Sequence, residues 1–211
     1  MASSESATEP KCFLEPINFR DEAQCTELLR QRKICGWADT PDYLDVWRTA
    51  MDAGTKNMFW IKPASHPDLR VGHVSLDSDS EPADLEVANP HDKSVLTVAR
   101  LFILPEHRNL KLGRAVMETM ERVAREEPYG SKNCRALAIT TLSNRYYDEE
   151  EYRAEYARAN DGRMLPRGAG NENWYLRMGY VKWKDAPLYE VGTPGFEDVK
   201  LIAAFMRKSI V

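Results

Sequence analysis

Leu101-Phe-Ile-Leu-Pro-Glu-His-Arg-Asn-Leu-Lys-Leu-Gly-Arg114 joins the most apolar stretch of the chain to its clearest helix. Val95 to Leu104 is rich in β-branched and aromatic residues, the composition of a strand. Pro105 ends it, since proline has no N–H to give a ladder. Beyond it, Leu112, Val116, Thr119, Met120 and Val123 form one apolar stripe, which predicts a helix from Leu112 to about Glu127, stopped by Pro128-Tyr-Gly130. Residues 108–114 are therefore the turn into a helix and its first turn. Backbone N–H groups there lack intrahelical partners and the helix dipole adds positive potential, so such a terminus binds anions. His107, Arg108, Lys111 and Arg114 concentrate positive charge at this point, and Gly113 lets the backbone approach a ligand closely. A pyrophosphate or phosphorylated ribose suits the site; a basic, solvated helix start is the competing reading.

Working outward, the periodicity gives an alternation of elements. Cys12–Ile17 reads as a strand, at an edge or near a strand end because of Pro16. Two helices follow, Asp21 to about Lys33 and Thr40 to about Ala53, the second opened by Thr40 as N-cap with Pro41 at the first helical position and ended by Gly54. Met58–Ile61, Arg70–Leu76 and Ala136–Thr141 read as further strands, Asn171–Met178 as a short helix closed by Gly179, and Tyr180–Trp183 and Val199–Met206 as the last strands. The stretch from Thr141 to Tyr175 exceeds the ~12–15 residues of an ordinary structureless loop, so a helix is expected at about Asp148–Ala159. Met1 to about Pro10 is small, polar and acidic and reads as a disordered tail. The sum is one α+β domain over residues 11–211 with an insertion at about 142–170, built on a mixed sheet.

The bulk numbers exclude several classes. A hydrophobic share of 43% with 29% charged residues is that of an ordinary globular protein, and a net charge of -4 lacks the basic footprint of a general nucleic-acid binder. The four cysteines (Cys12, Cys25, Cys35, Cys134) show no metal-ligand spacing, so no metal site is expected and their plain state is the reduced thiol. The start of the chain lacks a basic and an apolar region, and no apolar run reaches the ~18 residues of a spanning helix, so no membrane partner and a cytoplasmic location are expected.

The stretch around Arg108 resembles the signature of the GNAT acetyltransferases, in which a strand ending apolar-x-apolar-x-Pro precedes Arg/Gln-x-x-Gly-x-Gly/Ala. Arg108 and Gly113 match; Lys111 stands where the family usually has its middle glycine and Asn109 where glycine is common. The loop keeps its length, and both side chains are accommodated if residues 109 and 111 have ordinary φ angles. Tyr175-Leu-Arg-Met-Gly-Tyr180 is similar to the family's Tyr-x-x-x-Gly-Phe. The resemblance spans about Val95 to Trp183. It implies a GNAT-like three-layer fold, with a mixed, mostly antiparallel sheet of about seven strands flanked by helices, and acetyl-CoA as co-substrate. It also implies that the backbone of Leu101, Phe102 and Ile103 pairs with the pantetheine arm. Arg108, Asn109, Leu110, Lys111, Leu112, Gly113 and Arg114 would hold the pyrophosphate, and Tyr175 would face the thioester sulfur. A hydroxyl of pKa ~10 within hydrogen-bond reach can protonate or stabilise an expelled thiolate.

The acceptor is less legible. Trp37 and Tyr43, between and at the start of the two first helices, and Tyr146 and Tyr147 of the insertion are candidate substrate contacts, with core packing as the alternative for each. Asp148, Glu149, Glu150 and Glu151 are candidates for attracting a cationic amine from a lid. His73, Glu86, Glu106 and the carboxylates of the insertion are candidate bases, with a water relay as another route. The expected activity is acetyl transfer to the amine of a small molecule by direct attack in a ternary complex, in a monomer or homodimer. A protein N-terminal or lysine acetyltransferase and a non-catalytic acyl-CoA-binding module are the alternatives.

Overall fold

The computed structural model describes residues 11–190 and 199–211; the tail expected over residues 1–10 lies outside the described residues. β1 (Cys12–Pro16) leads through α1 (Glu22–Cys35) and α2 (Asp42–Asp52) to a meander of β2 (Lys56–Pro63), β3 (Gly72–Asp77) and β4 (Val95–Ile103). Then come α3 (Leu112–Val123), β5 (Ala136–Leu142), α4 (Arg145–Asp148), α5 (Glu150–Ala159), α6 (Asn171–Leu176), β6 (Val181–Glu190) and β7 (Lys200–Ser209). The sheet is open and seven-stranded in the order β1-β2-β3-β4-β5-β7-β6, antiparallel throughout except at β4–β5.

Local chemistry fixes the helix ends. Asp21 accepts the N–H groups of Ala23 and Gln24 and so caps α1, while Gly36, at φ 78, ends it in the left-handed conformation that glycine adopts without a Cβ penalty. Thr40 does not cap α2 as expected: Pro41 precedes the helix in αR geometry, and no side-chain cap forms. α3 is the most amphipathic of the long helices, and its Leu112, Val116, Met117 and Met120 are buried against the sheet.

The sheet has a core on each face. On one, α3 and the end of α6 cover Phe59, Ile61, Val74, Leu76, Leu96, Val98, Leu137, Ile139 and Met206. On the other, α1 and α2 pack Leu28 and Trp47 onto Met58 and Trp60. The insertion is anchored by Tyr146, whose phenol oxygen accepts the N–H of Ile202 at 3.0 Å, with Tyr152 and Tyr156 packed on its ring. β6 extends to Glu190, well past the expected Trp183, because alternating half-exposed residues such as Lys184 and Asp185 continue an edge strand that has no apolar run to announce it.

One irregularity positions the site. β4 and β5 pair only through Val95–Thr97 and Ala136–Ala138. Past that point β4 stays with β3, β5 stays with β7, and the two parallel strands part. His73 pairs with Phe102 and Ser75 with Ala99, so β4 carries one extra residue there, and Arg100 sits in the bulge at φ 56. Such a bulge bends and twists a strand away from its neighbour.

Candidate active site

The parting strands and the turn into α3 adjoin. After Leu104 the chain makes a 3-10 turn, Pro105–His107, and enters α3 from Lys111. The N–H groups of residues 109–114 donate to no acceptor among the described residues, and no side chain caps α3. A run of outward-facing donors at a helix N-terminus is a cradle for anionic oxygens. Its shape depends on left-handed backbone: Asn109 has φ 67 and Lys111 φ 60. Ordinary φ angles, the condition under which both side chains are accommodated without strain, are therefore not met at these two positions. The loop keeps the geometry that glycine usually supplies. Asparagine enters that region readily; for a lysine it costs roughly 1–2 kcal/mol.

Two further side chains shape this end. Arg108 donates from Nε to the carbonyl of Ile103 at 3.0 Å, with its guanidinium 5.7 Å from the centre of the Phe102 ring, so it ties the loop to the strand. Gly113, expected to admit a ligand, makes room for a side chain of the protein: a Cβ built there would lie 3.3 Å from the Trp174 indole and 3.8 Å from Ile103. Arg114 and Lys111 are exposed, Arg114 lying 3.9 Å from Glu118. Leu101 and Ile103 are half-buried, Phe102 and Leu112 buried, and Leu110 exposed.

Tyr175 comes from the last turn of α6. The N–H groups of Met178 and Tyr180 both return to its carbonyl, and Gly179 at φ 87 turns the chain into β6. Buried Glu172 holds the start of α6 by accepting the Asn144 N–H at 2.8 Å and the Lys182 ammonium at 2.9 Å. Tyr175 lies edge-on to Trp174 at 4.7 Å and to Tyr180 at 5.6 Å. Burial, and secondarily Tyr189, push its phenol pKa well above the ordinary tyrosine value, so it stays a neutral donor near neutrality. Tyr189, which the sequence reading missed, stands between regions: it is hydrogen-bonded to Thr140, edge-on to Trp37 at 5.9 Å, and close enough to Arg100, Tyr147 and Tyr175 to share their electrostatics. Its signal is only tertiary, since it sits on an edge strand outside every motif.

The remaining candidates separate. Trp37 is exposed and meets Tyr189 across the open end, and half-buried Tyr147 faces the same group of phenols. Tyr43 is exposed, 5.9 Å from the Trp47 ring. Tyr146 is fully buried and spends its hydroxyl on the Ile202 N–H, so it is a structural anchor and not a substrate contact. Three of the four carboxylates expected to attract a cation are engaged elsewhere: Glu149 with Arg145 at 3.2 Å, Glu150 with Arg167 at 2.6 Å, and Asp148 with the Gly168 N–H at 3.0 Å.

The proposed bases fare no better. His73 is fully buried, bridges Gln31 at 3.0 Å and Arg32 at 3.3 Å, and has its pKa driven down to about 3 by burial first and the nearby arginines second. It is a neutral structural imidazole. Glu86 is exposed on the loop whose carbonyl meets Arg207, at the end of the sheet where β4 and β5 are still paired; Glu106 is exposed in the 3-10 turn.

Among the described residues no group of histidine, cysteine and carboxylate side chains has the arrangement of a metal site, and no helix is long and apolar enough to cross a membrane.

The sequence profile described as "Acetyltransferase (GNAT) family" matches residues 22–157. Comparison with curated proteins returned no match to the sequence. Among solved structures, an aminoglycoside 6'-N-acetyltransferase complexed with coenzyme A superposes with a TM-score of 0.59 at 11% identity, covering 94% of this chain and 97% of that one. A spermidine N-acetyltransferase from Vibrio cholerae in complex with CoA and spermine gives 0.58 at 14% identity, with 95% and 96% covered. At these identities the likeness is one of fold.

Proposed function

The chain belongs to the GNAT acetyltransferase family, with which acetyl-CoA as co-substrate fits, and from that premise we propose that it acetylates the amine of a small molecule by direct attack in a ternary complex. One observation carries the reading: the unpartnered N–H groups of residues 109–114 lie beside a β4 edge that β5 has abandoned. The two features fit the two chemical halves of coenzyme A. Diphosphate oxygens match a row of outward N–H donors, and the amides of an extended pantetheine arm match an open strand edge, which takes an added chain as a strand.

When bound, acetyl-CoA supplies the acetyl group: its C–S bond breaks as the acceptor nitrogen bonds to the acetyl carbon. The residues of the chain do the rest. Residues 109–114, with Lys111 and Arg114 nearby, hold the diphosphate, and Leu101–Ile103 hold the arm in register. Tyr175 donates a hydrogen bond to the departing sulfur. Because its pKa is raised above ~10 while an alkyl thiol ionises near 8.5, complete proton transfer is uphill, and the hydroxyl acts chiefly by stabilising charge on sulfur. The proton lost by the amine leaves through water, since His73 is committed to Gln31 and Arg32.

The small-amine acceptor is supported by neighbours whose substrates are a polyamine and an aminoglycoside. Thiol release from acetyl-CoA across a panel of small amines and peptides tests the reading. Turnover on small amines is expected; turnover on peptides alone favours a protein acetyltransferase, and tight coenzyme A binding without turnover a non-catalytic binding module.

A further inference from the structure

We infer that the acceptor amine also carries a carboxylate, received by Arg100 with Arg32 behind it, so that the substrate is an amino acid or another amino-carboxylate. This deepens the acetyl-transfer reading and rests on it.

Two arginine charges beside the parted strands have no ion-pair counterpart among the described residues. Arg100 is exposed in the β4 bulge and makes no hydrogen bond or ion pair among the described residues; its guanidinium contact is the Trp47 ring, 5.6 Å away. Arg32, from α1, reaches the same ring at 5.9 Å and is 3% exposed. It contacts the His73 imidazole and the Trp37 carbonyl, both neutral, and its Nε is buried without a partner. Burial pulls its pKa down, yet a guanidinium stays charged.

The other charged groups around them do not cancel this. Asp77 is paired with Lys56, and His73 is neutral. Asp39 acts on Arg32 only from beyond ion-pair distance. Two guanidiniums thus share the Trp47 ring as a floor; at buried Arg32 an unpaired charge is costly, and a carboxylate held between it and exposed Arg100 gains more than it would in water. A carboxylate also matches the guanidinium fork in geometry.

Placement ties this to the reaction. Arg100 lies within the stretch of β4 that leaves β5, directly before the residues assigned to the pantetheine arm, and its neighbour Tyr189 also influences Tyr175. The acidic residues of the insertion, which would favour a polycation, are largely taken up by Arg145, Arg167 and the Gly168 N–H.

The test compares each of the twenty standard amino acids with its carboxamide, and both with spermidine, by thiol release from acetyl-CoA and by calorimetric titration of the protein saturated with coenzyme A. The expected result is a preference of roughly 10- to 100-fold for at least one free amino acid over its amide, the span of a charged hydrogen bond. Arg100→Gln should remove that preference by raising KM and Kd while leaving coenzyme A affinity unchanged, and Arg100→Lys should restore part of it. Arg122→Gln, an exposed charge change on α3, controls for net charge. Equal use of acids and amides, preference for spermidine, or an unaffected Arg100→Gln overturns the inference while acetyl transfer stands. If no amine turns over, the transfer reading fails, and the titration still decides: carboxylate-dependent binding lost in Arg100→Gln upholds the anion site, and its absence overturns it.

Discussion

The two sides of the parted strands are built on different principles. The proposed cradle at α3 is a run of consecutive residues, 109–114, whose free groups are backbone N–H donors aimed by two left-handed residues. The proposed acceptor side draws Arg32 from α1, Trp37 from the following loop, Arg100 from β4, Tyr147 from α4, Tyr175 from α6 and Tyr189 from β6. A group common to many enzymes, a diphosphate on a flexible arm, can be held by geometry that a short peptide carries by itself. A particular acceptor needs side chains of particular charge and shape, and those meet only when distant elements converge.

Each side can be tested against the other. Tyr175→Phe has the largest expected effect: kcat should fall roughly 100-fold with coenzyme A affinity unchanged, since the hydroxyl acts on developing charge and the ring stays in place. Retained kcat would break the assignment. The same phenol gives a pH prediction. Its pKa is raised, so its neutral form persists above the ordinary ~10, and saturated kcat should show no decline from Tyr175 ionisation between about pH 7 and about 10. A fall in that range that vanishes in the Phe variant would refute the raised pKa.

Tyr146→Phe sharpens the contrast between anchor and pocket wall. It leaves the part-buried Ile202 N–H without its acceptor and should destabilise the fold by about 1 kcal/mol in denaturant titration, with KM for the acceptor unchanged. A selective rise in KM would return Tyr146 to the substrate side. The smallest effect is expected at Lys111→Gly. Removing a lysine from φ 60 should stabilise by about 1 kcal/mol, an effect offset in part by the entropy of a freer unfolded chain. Weaker coenzyme A binding in the same variant would show that the lysine amine contributes as well as the backbone.

The legibility of these regions in the sequence follows the same divide. α3 announces itself because burial on one face forces a local apolar period, β4 and β5 through apolar runs rich in β-branched residues, and Pro105 and Gly179 mark the breaks. The cradle could be read from Pro105, Arg108 and Gly113 since its donors are close in the chain. Its φ angles were signalled only faintly, by an asparagine at 109 and by glycines that the family usually carries at both positions, while Lys111 itself gives no sign of left-handed backbone. Tyr146 illustrates the opposite error: among several tyrosines in one insertion, composition cannot say which is buried on β7 and which faces the opening. Tyr189 and Arg100 matter through neighbours far away in sequence, and no local pattern selects them.

The sequence alone thus determined the α+β class, most of the order of elements and the turn into α3 at residues 108–114, because helix and strand periods and helix-end chemistry act over a few residues. Only the tertiary structure decided where β4 leaves β5, that Gly113 accommodates Trp174, that His73 is a neutral core group, and that two arginines stand unpaired on Trp47. Those outcomes depend on burial and on charges brought together from separate elements, and both come into being only when the chain has packed.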